Sequence, residues 1–135
     1  MPALRGHHLI CLHFFLGDGY NQVFVRTLKE VLNKAEEEEV IITDGADDVC
    51  KACPYLMESR CEKEANADEK VKTMDETALM LLNIKKDIIQ WGELKRMIPE
   101  IFSTWYANYC YDCEWLKTCE KHPDFQKLKA QKVLR

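Results

Sequence analysis

No stretch of this 135-residue sequence approaches the roughly 20 consecutive apolar residues of a membrane-spanning helix, so no membrane partner is expected. A basic surplus is missing too. Lys and Arg number 19 against 23 Asp and Glu, and the net charge of −4 has the wrong sign for a protein that coats nucleic acid. There is no Gly-rich phosphate loop and no paired-carboxylate motif, which leaves an enzyme built on either without a signature. Internal repeats and low-complexity linkers are also lacking, and the length suffices for a real core, so a single domain over 1–135 is expected. The opening "MPALRGHHLICLHFFLGDGY" has one Arg and an apolar stretch, as a signal peptide would. Three histidines interrupt it and no small-residue cleavage site follows, so the cytoplasm is the expected location.

What the sequence does have is cysteine, seven in all, an odd number. A cytoplasmic compartment keeps thiols reduced, and disulfides would leave one thiol over, so metal or cluster ligation is the favoured reading. "CKACPYLMESRC" spaces its thiols as Cys50-x2-Cys53-x7-Cys61, and "CYDCEWLKTC" as Cys110-x2-Cys113-x5-Cys119. A C-x2-C pair lets two thiolates converge on one metal from a tight turn, often with backbone N–H groups aimed at the sulfurs. Two such pairs, each with a trailing third cysteine, outweigh a reading of the cysteines as small buried hydrophobes. Asp47 or Asp48 is placed to cap a turn leading into Cys50, and Pro54 to open the first turn of a helix.

Each arm needs a fourth ligand. Cys11 or a histidine could complete the first, with Cys11 preferred, and His122, three residues after Cys119, the second. Seven cysteines and one histidine make two four-ligand sites, which suits zinc, two [4Fe–4S] clusters, or one of each. A further arrangement joins both C-x2-C pairs in a single all-thiolate site. Trp115, inside the second spacing, would shield a cluster from water, and such shielding helps set a cluster's potential.

The stretch "LRGHHLICLH" adds His7, His8, Cys11 and His13. On a helix His7 and Cys11 are four residues apart and share a face, which can present two ligands to one metal. His8 would point elsewhere, toward a carboxylate or a cluster sulfur. Arg5 is a candidate buried partner of Asp47 or Asp48, and His13 is read as structural. A nucleophile–base pair of Cys11 with His7 or His8 is the enzymatic alternative.

The remaining pattern is mainly α-helical, an α+β chain with at most a small two-stranded sheet. "LGDGYNQ" reads as a turn, with Asn21 capping a helix that places Phe24, Leu28, Val31, Leu32 and Ala35 on one face. The acidic run Glu36 to Glu39 ends it and reads as a solvated face. "VIIT" and "DIIQWG" are short strands able to pair, with a turn at Asp44 and Gly45 after the first. The polar stretch 62–70 reads as a surface connection. Thr73 and Glu76 have capping-box spacing for a helix with Met74, Ala78, Leu81 and Leu82 inward. Leu94, Met97, Ile98, Ile101, Phe102 and Trp105 form a strong helical stripe that Pro99 kinks or splits, and "FQKLKAQKVLR" reads as a solvated terminal helix.

Four segments together, "LRGHHLICL", "GDGYNQVFV", "DDVCKACPYLMESRC" and "CYDCEWLKTC", resemble a domain-of-unknown-function family of small bacterial and archaeal cysteine-rich proteins described as iron–sulfur-binding. Ile10 stands in a leucine position of that pattern, and Asn21 where Ser or Thr is usual. The resemblance implies that Cys50, Cys53, Cys61, Cys110, Cys113 and Cys119 are the shared ligand set, with Cys11, His7 and His8 also at motif positions. His122 lies outside those motifs. The expectation is a helical domain organised around a cysteine-ligated centre, a [4Fe–4S] cluster with Zn2+ as the alternative. It would serve electron transfer or redox sensing with a redox or protein partner, rather than turning over a substrate. The alternative is an interaction module whose zinc holds the fold together.

Overall fold

The computed structural model describes residues 1–17, 21–45, 47–53, 56–57, 60–61, 67–111, 113 and 115–133, and only the backbone at 52, 56–57, 60–61, 67–68 and 131–133. The turn at 18–20 and Pro54 lie outside the described residues. Asn21, in extended backbone, accepts the N–H of Phe24 on its Oδ1 at 2.8 Å and opens helix α2, Gln22–Glu37. Phe24, Leu28, Val31 and Ala35 are its buried stripe, and the acidic run that ends it is exposed. Strand β2, Glu39–Ile42, follows at once and pairs antiparallel with β5, Ile88–Gln90, which sets the buried Val40 opposite the buried Ile89. Gly45 turns the chain after β2 with a φ of 73°, a left-handed conformation that favours glycine.

The sheet has one strand more than the two expected. Strand β1, Ala3–Leu4, runs parallel to β2 on its other edge, with Leu4 opposite Ile42. Two residues are too few for an alternating pattern to register, so this strand leaves no mark in the sequence. A separate ribbon of β3, Leu56–Met57, and β4, Arg60–Cys61, joins the first cysteine pair to Cys61.

Helix α3 spans Ala67–Leu82, so the capping-box reading of Thr73 is replaced. Thr73 sits mid-helix and its hydroxyl donates to the Glu69 carbonyl at 3.1 Å. The helix claims the end of the polar stretch 62–70 because Ala67, Glu69 and Lys70 are good helix formers. Asn83, with a φ of 54°, ends it in the left-handed conformation that Asn tolerates. Helix α4, Trp91–Trp105, passes through Pro99 without splitting and buries Trp91, Leu94, Ile98, Phe102 and Trp105. It runs on into a π-helical turn over Tyr106–Cys110.

The short α5, Leu116–Cys119, and the terminal α6, Pro123–Val133, complete the chain. Phe125 of α6 is 1% exposed and meets Phe14 and Phe102 edge-on, each at 5.2 Å. Lys129, on the same helix, pairs with Glu120 at 2.8 Å. The fold is mainly α with a small sheet, and among the described residues no helix is long and apolar enough to cross a membrane. At its centre lies α1, a four-residue helix over His8–Cys11 whose Leu9 and Ile10 are fully buried.

Candidate metal centre

Burying α1 carries the polar residues around it inward, where each must find a partner. Arg5 is 1% exposed, and its Nε donates to Asp75 Oδ2 of α3 at 2.7 Å. The other oxygen of Asp75 takes both the backbone N–H of His7, at 2.9 Å, and its ring Nδ1, at 2.7 Å. The expected pairing of the Arg5 side chain with Asp47 or Asp48 is therefore corrected. Asp75 escaped the sequence reading, although a carboxylate beside Met74 and one turn before Ala78, on an apolar helix face, was a usable signal. Gly6 is what lets α3 so close: a Cβ there would lie 2.3 Å from the Asp75 carbonyl oxygen.

Asp47 does cap the Cys50 turn. Its Oδ1 accepts the N–H groups of Val49 and Cys50, both at 3.0 Å. Its Oδ2 accepts the Arg5 backbone N–H at 2.7 Å and His8 Nδ1 at 2.6 Å. Asp48 instead accepts the Ala3 N–H at 2.9 Å. Burial works against a charge on Asp47, but His8 and the surrounding N–H groups outweigh it and hold the carboxyl well below its usual range. Asp75 is likewise lowered, burial again being overcome, by His7 and Arg5. Burial, with His8 beside it, lowers His7 to about 4, so His7 is neutral near pH 7.

Ionised carboxylates only accept hydrogen bonds, so both rings donate from Nδ1, and the neutral His7 keeps its lone pair on Nε2. The two rings lie 4.2 Å apart. Cys50 Sγ accepts from Arg5 Nη1 at 3.4 Å, while burial, followed by the Asp47 charge, pushes the metal-free thiol up to about 12. A ring nitrogen of His8, a carboxylate oxygen of Asp47 and Cys50 Sγ lie within 4.8 Å of one another, a group that could hold a metal ion.

Cys11 turns the other way. Its neighbours are Cys110, Cys113 and Cys119, which together with burial, the larger cause, push its thiol well above the usual value, and the Trp105 side chain hydrogen-bonds it. The expectation that Cys11 completes the first arm is thus corrected: α1 delivers it to the second. His7 stays with Asp75, so the shared face of His7 and Cys11 does not become a shared site.

The π turn ends on Cys110, the N–H of Cys113 returns to the Cys110 carbonyl at 3.1 Å, and the N–H of Trp115 points at Cys113 Sγ at 3.5 Å. Cys50 and Cys53 make the same turn, with the N–H of Cys53 on the Cys50 carbonyl at 2.9 Å. Cys119 closes α5, its thiol pushed up to about 11 by burial, Cys113 and Glu120. The six cysteines with described side chains are outside any disulfide, and the Cys61 side chain lies outside the described residues. His122 is placed as a cap: its Nδ1 accepts the Asp124 N–H at 3.1 Å at the start of α6, and its ring meets Phe14 edge-on. His13 is structural, stacked on Trp91 at 3.9 Å.

The model of a family described as "Protein of unknown function (DUF1284)" matches residues 19–119. The chain belongs to the DUF1284 family. Neither the curated proteins nor the solved structures give a match. In this DUF1284 protein the matched span holds both cysteine arms and Asp75, while Arg5, His7, His8 and Cys11 precede it.

Proposed function

We propose that this DUF1284 protein binds an iron–sulfur cluster, of the [4Fe–4S] class, through Cys11, Cys110, Cys113 and Cys119, and uses it in electron transfer or redox sensing. The observation that carries the reading is the gathering of Cys11 with the three thiols of the second arm. Their donor set is all sulfur, as such clusters require.

The chain's own groups fit the role. The Trp105 side chain and the N–H of Trp115 supply hydrogen bonds to sulfur, which tune a cluster's potential. The buried stripe of α4 walls off one side, and Cys113 remains exposed, an approach for an electron donor or acceptor. A bound cluster would supply one-electron chemistry. The test is anaerobic purification of the full chain with iron and sulfide analysis. A brown protein whose iron and visible absorption vanish in Cys119→Ser is expected. A colourless protein holding stoichiometric zinc overturns the reading.

A further inference from the structure

We infer that His8 and Cys50 are ligands of a second, mononuclear site for a zinc-class divalent cation, with Asp47 as the group that orients His8. The inference stands independently of the cluster reading, since it uses neither Cys11 nor the three thiols around it.

Three observations carry it. The first is proximity: a ring nitrogen of His8, an oxygen of Asp47 and Cys50 Sγ lie within 4.8 Å of one another. The second is hydrogen-bond capacity. Asp47 receives two donors on each oxygen, so its lone pairs are already filled and it has none to spare for an ion. What it can do is hold the His8 proton on Nδ1 and so direct Nε2 as a ligand, the arrangement usual behind metal-bound histidines. The neighbouring His7 ring is turned to Asp75.

The third is a donor aimed at the sulfur in a half-buried or buried setting. Arg5 Nη1, 3.4 Å from Cys50 Sγ, steadies the thiolate that the ion requires. Nitrogen and sulfur donors together match zinc rather than magnesium or calcium.

Cobalt(II) is the probe, titrated under reducing, anaerobic conditions into the metal-free full chain and into three variants. The three variants are Cys119→Ser alone and Cys119→Ser combined with His8→Gln or with Cys50→Ser. The expected result is a set of thiolate–cobalt bands that survives in Cys119→Ser and is weakened at least ~10-fold by either added change, the scale seen when a ligand or its orienting partner is lost. Bands that disappear in Cys119→Ser, or persist unchanged when His8→Gln or Cys50→Ser is added to it, overturn the proposal. Far-UV circular dichroism checks that each variant folds. Should His8→Gln fail to fold, the cobalt-loaded Cys119→Ser chain still decides: a strongly shifted imidazole N–H proton in its NMR spectrum is expected, and its absence refutes histidine ligation. Failure of the cluster reading shows separately, as iron that never binds.

Discussion

Asp75 holds Arg5, the His7 backbone and the His7 ring with two oxygens, and no other partner of the Arg5 Nε is present among the described residues. Removing it leaves a guanidinium buried and uncompensated. Asp75→Ala should cost about 3–5 kcal/mol of stability in urea denaturation, the scale of a buried pair broken from one side. The exposed Lys86–Glu93 pair, at 3.4 Å, is the internal control. Glu93→Ala should change stability by less than about 1 kcal/mol, because water screens that pair. Equal losses in the two variants would show that the Arg5–Asp75 pair is not the buried lock described above.

Among the elements, α6 is the one whose polar surface conceals its anchor. Its basic residues mark it as a solvated terminal helix, yet Phe125 lies against Phe14, Phe102 and Tyr106. Phe125→Ala should cost about 3–5 kcal/mol, as for other large-to-small changes in a core, measured by thermal or chemical unfolding. The long elements were legible because one periodicity spans each of them. The α4 stripe, the Asn21 cap, the pairing of "VIIT" with "DIIQ" and the Asp47 cap on the Cys50 turn all follow from local pattern. The partnership of Arg5 with Asp75 spans 70 residues, and nothing local to either residue specifies it. The same holds for Cys11. Helical spacing puts it one turn from His7, but the direction its thiol takes depends on where α4 and its π turn come to rest.

At the scale of the whole molecule, buried neutral histidines tie the fold to pH. Unfolded, each takes up a proton near 6.5; folded, burial holds His7 to about 4 and His13 to about 3. Between those values the unfolded chain binds more protons, so stability is complete above pH 6.5 and falls as the pH drops through that window. The lowered carboxyls of Asp47 and Asp75 act in the same direction further down, below their usual values. The urea midpoint of the metal-free protein should therefore decline steadily from pH 7 to pH 4 (roughly). A midpoint that is flat over that range would show that His7 and His13 titrate normally in the folded state.

The single turn of α1 has a consequence in time as well as space. A growing chain leaves the ribosome N-terminus first, so Cys11 emerges long before Cys119, and the four-thiol set cannot close until nearly all the chain between them has been made. His8, needing only Asp47 and Cys50, can find its partners before the second cysteine arm has been made. Two centres that share one helical turn would thus be completed in a fixed order, the histidine side first and the all-thiol side last.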